Sequence, residues 1–410
     1  MRAFDVIVVG GGVGASALAA NLATAGLEVE VLEREPLFID RVRGEWIAPW
    51  GVAEAKRLDV YALLMSAGGH HLTRSVIYDE LLTPAQAEAA MLPLGDLHPA
   101  APGPLCMEHV SVQNALLRHA HSCGARVRRG VSALQVQAGS TPSVQFTHDG
   151  VTSTHSCKLL VGADGRTSSV RRQLNLALVE HPIDHLISGL LVANAAAWPA
   201  DMQAVGKIGE VMFLIFPQGQ GKVRLYVEYG MADRGRYTGE RGARNLLAAF
   251  RSDRLPGGEA LSAATPIGPC KAYPSQFAGL ERPYVTGAAL IGDAAGFTDP
   301  ILGQGLSVTL RDARMVRDVL MASADWSASA FAAWGIERAE ATRRIAQATQ
   351  FAAHLFTRFD EAGLAARARA MRRMAEQPEK KSLLASAFIG PEVLPAEIFT
   401  DSYREALFAP

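Results

Sequence analysis

The sequence predicts an α/β fold in which a Rossmann-like nucleotide-binding unit carries an inserted antiparallel β-sheet and C-terminal helices. Three observations predict it. Residues 4–9, FDVIVV, form an apolar β-branched run without alternation, as a parallel strand buried on both faces requires, and the run ends in Gly10, Gly11 and Gly12. Between 186 and 230 the runs LISGLLVANA, EVMFLIFPQ and KVRLYVEYG are separated by Pro and Gly turns, the pattern of a separate antiparallel sheet. From Gln304 onward the chain reads as helix to about Leu320, then again over roughly 328–357 and 362–376.

The elements follow in order. Small residues and leucines from Gly14 to Ala25 predict a helix that Gly26 closes, and 28–32, EVEVL, predicts the next strand. Residues 111–123 form an amphipathic helix, followed by the strand-like RVRRGVSALQVQ and a hairpin around Asp149-Gly150. LLVGADG then reads as another buried strand. A length of 410 residues suggests two or three folding units around a large interior. Forty basic against 41 acidic residues give a net charge of −1, which argues against nucleic acid or an anionic membrane as partner and favours a small molecule. Cys106, Cys123, Cys157 and Cys270 are far apart, with neither metal-binding spacing nor a disulfide framework, so a reducing cytoplasm is expected. The N-terminal apolar run lacks a signal-peptide n-region and cleavage site, and no window of about 18 apolar residues predicts a membrane span.

VIVVGGGVGASA places Gly10, Gly12 and Ala15 in the spacing of the dinucleotide fingerprint, directly after a strand and opening a helix. Gly10 permits the tight turn, Gly12 lets the backbone approach a pyrophosphate, and Ala15 lets the helix pack close to the strand. Glu33 ends the second strand, 23 residues after Gly10, where its carboxylate can accept bonds from a ribose. By themselves these residues say only that a dinucleotide binds.

Two further segments narrow the reading. LLVGADGRTSSVR, residues 159–171, resembles the DG motif of the para-hydroxybenzoate-hydroxylase-like (group A) FAD-dependent monooxygenases, and ALIGDAAGFTDPILGQGLSVTLRDA, residues 289–313, resembles their GD motif. With the fingerprint, the three motifs stand in the family's order from Asp5 to Asp312. The resemblance implies an FAD-binding domain of the glutathione-reductase βαβ type, formed by 1–75, 105–180 and 275–325. It further implies a substrate domain from 76–104 and 181–274, and a C-terminal helical region at 326–410. It implies non-covalent FAD held by Gly10, Gly12, Val13, Gly14, Ala15, Glu33, Arg34, Val131, Asp164 and Gly292. Asp293 would bond ribityl or ribose hydroxyls, and Pro300 would lie beside the isoalloxazine. The amides of Gly303, Gln304, Gly305 and Leu306, opening a helix, would face flavin N1 and O2. Arg43 occupies the place of the family's pyrophosphate-binding arginine, and Gln113 opens the helix on the adenosine side; each also reads as a surface residue. Arg166 or Arg171 would help with a nicotinamide phosphate.

The activity so implied is hydroxylation of an aromatic or other electron-rich small molecule through a flavin C4a-hydroperoxide, with O2 and with NAD(P)H as a transient reductant. No second glycine fingerprint exists for NAD(P)H, which suits a visiting reductant and equally a separate flavin reductase. In KVRLYVEYG, Arg224, Tyr226 and Glu228 project from one face and Val223, Leu225, Val227 and Tyr229 from the other, and the alternation leaves open which face meets the ligand. Arg224 resembles in position an arginine that touches the flavin, or else faces solvent. Gly296 and Phe297 depart from the family's GDAAH, and Gly44-Glu45 resembles flavin halogenases and geranylgeranyl-reductase-like proteins. Of the halogenase WxWxIP signature only Trp198-Pro199 is present. The rival activities are a flavin dehydrogenase or double-bond reductase, a halogenase, and a non-enzymatic scaffold. His119 and His121 point to different helix faces, and His181 and His185 have no apparent third ligand, so no metal is expected.

Overall fold

A computed structural model describes residues 2–42 and 44–409. The strands Ala288–Leu290, Val151–Gly162, Arg2–Val9, Val29–Glu33 and Arg126–Arg129 lie side by side in that order, and all four pairings are parallel. Val6, Val8, Val31, Leu159 and Val161 are fully buried, which is why the central strand ends in an unbroken apolar, β-branched run instead of alternating. Ser132–Gln137 and Ser143–His148 form an antiparallel arm on the long strand Val151–Gly162, turning at Asp149-Gly150 as expected. RVRRGVSALQVQ is thus two strands, broken at Gly130, where φ is +75°.

Helix Val13–Thr24 packs against His109–Ser122 and Gly305–Ala322 on one face of this sheet. The crossing with the latter is close: a Cβ on Gly14 would sit 2.5 Å from Cγ2 of Thr309. The expected helix from Gln304 begins at Gly305, and that from about 328 begins at Ala332 after a short 3-10 turn, Ala328–Phe331.

The second sheet contains the three expected runs as His185–Ala193, Val211–Pro217 and Val223–Gly230. It also holds Met202–Ile208, whose glycine and lysine hid it in the sequence, and Arg74–Asp79, which pairs parallel with Met202–Ile208 from more than a hundred residues away. Alternation along Val223–Gly230 is resolved by packing. Val223, Leu225, Val227 and Tyr229 join an apolar cluster with Leu246 of helix Gly239–Ala249 and with Phe250 at its end, so Arg224, Tyr226 and Glu228 face the nucleotide-binding unit. Four further helices, Ala332–Phe356, Glu361–Glu376, Ser382–Ile389 and Asp401–Phe408, close the molecule behind this junction. Among the described residues no helix is long and apolar enough to cross a membrane.

The C-terminal helices are tied to the cleft by one buried ion pair. Nε of Arg338 lies 2.9 Å from Oδ1 of Asp312, and Oδ2 of Asp312 accepts the amide of Gly292 at 2.8 Å. Replacing Arg338 with Met leaves Asp312 buried without its partner and is expected to lower stability by about 3–5 kcal/mol. Arg251→Met, which removes the exposed pair with Glu259, should cost under about 1 kcal/mol. Thermal unfolding compares the two; equal midpoints would show that the buried pair does not secure the turn at Gly292.

Candidate functional site

The carboxyl ends of the parallel strands open into a cleft of about 560 Å³ that runs to the inner face of the second sheet. Its near end is the Gly10–Ala15 turn. Gly10 has φ +107°, and a Cβ there would meet the Ala163 carbonyl oxygen at 2.4 Å, so the two strand ends approach only because this residue has no side chain. A Cβ on Gly12 would meet nothing within 4 Å, which leaves open space before the first amides of helix Val13–Thr24. Gly10, Gly12, Val13, Gly14 and Ala15 all line the cleft. Glu33 lines it too, fixed by the amides of Gly11 and Glu35, which its two oxygens accept.

Arg34, Gln113 and Val131 lie along the same wall; Arg34 is exposed and turned toward Glu35. Asp164 lines the cleft while its oxygens accept bonds from the hydroxyls of Ser168 and Ser169 and from the amides of Ser169 and Val170. Its carboxylate therefore secures the start of the short helix Ser169–Gln173. Arg171 is not available to a nicotinamide phosphate: it is buried, donating to the carbonyls of Ala294 and Arg166. Arg166 stacks over Phe297 at 4.0 Å, and both residues line the cleft. Arg43 lies outside the described residues.

At the middle and far end the cleft is lined by Gly292, Asp293, Pro300, Gly303, Gly305 and Leu306. Gly303 has φ +66° and abuts the Trp46 ring, which a Cβ would meet at 2.7 Å. A Cβ on Gly305 would enter open space, as at Gly12, and here too a helix begins. The Gln304 side chain takes no part in the cleft, where the expectation concerned its backbone amide. It turns away from the cleft and is buried, with its Oε1 accepting Trp50 Nε1 at 3.0 Å and its amide donating to the carbonyls of Leu302 and Ala387.

Arg224 departs from expectation, because it neither faces solvent nor lines the cleft. Its guanidinium is 2% exposed and lies 2.9 Å from both Asp40 Oδ2 and Glu45 Oε1. The cleft is reached instead by Tyr226, two residues along the same face, whose hydroxyl donates to Glu45 Oε2. Burial raises the Glu45 carboxyl above its usual range against the pull of Arg224, and burial beside Glu45 pushes the Tyr226 phenol well up. Trp46, Ile187, Leu214, Phe216, Tyr226 and Tyr273 enclose an apolar, aromatic chamber where the sheet meets the Pro300 turn. Glu45, Trp46 and Tyr273 carried no signal as chamber residues in the sequence, since long-range pairing of Trp46 with Cys106 and of Tyr273 with Ile187 brings that wall together.

Two helix N-termini thus open onto one cleft, one beside an anchored carboxylate and the other beside an aromatic chamber. That arrangement fits FAD, whose pyrophosphate and ring edge both concentrate negative charge at opposite ends of a long molecule.

Residues 3–351 match the FAD binding domain family. Squalene monooxygenase SE1 of Panax ginseng is 27% identical over 321 residues, covering 77% of this chain and 58% of that one. The chain thus spans little more than half of the length of that relative. Digeranylgeranylglycerophospholipid reductase 2 of Methanothermobacter thermautotrophicus is 28% identical over 330 residues, which is 77% of both chains. Among solved structures, pqsL, a probable FAD-dependent monooxygenase from Pseudomonas aeruginosa, superposes with a TM-score of 0.73 at 22% identity, over 89% of this chain and 99% of its own. PqsL has also been solved in complex with 2-aminobenzoylacetate.

The two fingerprint glycines should fail differently. Gly12→Val fills open space at the helix start, so it should fold normally yet lose flavin by at least about tenfold, the equivalent of one charge-assisted bond. Gly10→Ala presses on the Ala163 carbonyl and should lower the melting temperature. The flavin-to-protein absorbance ratio and a thermal melt read the two effects, and normal flavin content in Gly12→Val would remove this turn from the binding site.

Proposed function

Because the chain belongs to the FAD binding domain family, with FAD as its cofactor, we propose that it is a monooxygenase of an aromatic or other electron-rich small molecule. NAD(P)H serves as transient reductant, O2 as co-substrate, and the cytoplasm as location. The observation that carries this reading is the aromatic chamber continuous with the nucleotide cleft and walled by Trp46, Leu214, Phe216 and Tyr226.

The amides of Val13 and Gly14 would meet the FAD pyrophosphate, Glu33 the adenosine ribose and Asp293 the ribityl chain. The amides opening helix Gly305–Ala322 would meet the ring edge and stabilise negative charge gathered there on reduction. Bound FAD supplies two-electron transfer and activation of O2. The protein supplies position and exclusion of water. Substrate contacts come from the 181–274 segment and its neighbours. Tyr226 commits its proton to Glu45, so its oxygen is left to accept an N–H or O–H from a substrate ring. The aminobenzoyl compound bound by the structural neighbour carries such a donor.

A second reading has its own support. The apolar side chains Ile187, Leu214 and Phe216 also suit an isoprenoid chain, and one relative is a reductase of such lipids. Oxygen accounting separates the two. The monooxygenase should consume one O2 per NAD(P)H in the presence of a productive compound from a panel of phenols, anilines and polyprenyl alkenes, and Tyr226→Phe should retain FAD while lowering kcat/KM at least about tenfold for donor-bearing compounds. Product formation under anaerobic conditions would refute oxygenation in favour of reduction.

A further inference from the structure

A second polar centre lies behind the Pro300 turn, outside the cleft. His185 opens one strand of the second sheet, Glu228 projects from the neighbouring strand, and Asp299 immediately precedes Pro300. Nε2 of His185 lies 3.2 Å from Asp299 Oδ2 and 3.4 Å from Glu228 Oε2, and one donor atom from each residue falls within 4.8 Å of the others. His185 is 1% exposed, Glu228 0% and Asp299 7%. We propose that these three side chains form a binding site for one divalent first-row metal ion, of the Zn2+ or Mn2+ type.

Geometry carries the proposal. Ligands about 2.1 Å from a metal lie about 3.0–3.4 Å apart when they are neighbours in an octahedral or tetrahedral shell, which is the spacing from Nε2 to both oxygens. The same contacts are long for charge-assisted hydrogen bonds. Nε2 of His185 and both oxygens of Glu228 are buried with no hydrogen bond of good geometry. Two carboxylate oxygens and one ring nitrogen therefore stand within 4.8 Å of one another in a buried place, close enough to share one cation. The far ring nitrogen is held as metal-binding histidines are held: Nδ1 lies 2.6 Å from Oδ1 of Asp184, a carboxylate at the surface. Charge points the same way. Asp184, Glu228 and Asp299 set three carboxylates against one imidazole, and among the described residues no lysine or arginine forms an ion pair with any of them. An oxygen-rich set with one imidazole suits a borderline or hard divalent ion.

Such an ion would also brace the cleft. Asp299 uses its other oxygen, Oδ1, to accept the amide of Ile301 at 3.0 Å, fixing the turn that presents Pro300. The rival reading is a proton on Nε2 shared with the two carboxylates, and the experiment separates them. Flavin-loaded protein is treated with chelator, incubated with Zn2+ or with Mn2+, passed through gel filtration and assayed for metal by mass spectrometry. One equivalent of at least one metal should be retained. Glu228→Gln and Asp299→Asn should weaken binding at least about a hundredfold, and Asp184→Asn, which removes only the support of His185, about tenfold. His119→Gln, far from the cluster, should change nothing. Two ligand variants guard against one failing to fold. No retained metal, or retention that survives both ligand substitutions, would overturn the site and leave a protonated histidine in its place.

Discussion

The close approach of two strand ends, at Gly10 and Ala163, is the constraint on which the rest of the site depends. The amide of Ala163 donates to Val9 and that of Gly10 to Leu32, so three adjacent parallel strands finish at one level. Their loops can then share a cleft, and the amides of helix Val13–Thr24 face it. A side chain at position 10 would force the ends apart and remove the level from which Glu33 and Asp164 are both presented.

The far half of the cleft is held by long-range polar contacts. Asp312, on the helix that begins at Gly305, joins Arg338 of the next helix to the Gly292 turn. One buried pair therefore ties helix Gly305–Ala322, the turn carrying Asp293 and helix Ala332–Phe356 to one another. Beside it, Trp46 fills the concavity at Gly303 and bonds Gln203 of the second sheet at 3.0 Å, so the chamber wall is shared by both sheets.

What the sequence disclosed follows from how local each signal is. The first strand, helix and second strand were legible because burial on both faces and a glycine turn are written in consecutive residues. The two later motifs identified the cofactor class by their order. Side-chain direction was less legible. Gln304 sits in the expected helix start but its amide is drawn to Trp50, Leu302 and Ala387, and Arg224 is drawn to Asp40 and Glu45, nearly two hundred residues earlier. The sequence shows no third ligand for His181 and His185, because Glu228 and Asp299 reach His185 only through strand pairing and the return of the Pro300 turn. The Met202–Ile208 strand escaped for a different reason, since its apolar residues are interrupted by Gly206 and Lys207.

The alternating strand Val223–Gly230 separates two demands that a protein usually has to meet with the same residues. Odd-numbered positions are fixed by the apolar layer beneath the sheet, whereas Tyr226, with Leu214 and Phe216 on the neighbouring strand, shapes the chamber. Selection can therefore alter the shape and polarity of that chamber while the layer that folds the sheet stays unchanged. A single scaffold of this kind can diversify its chemistry across a lineage without rebuilding its core.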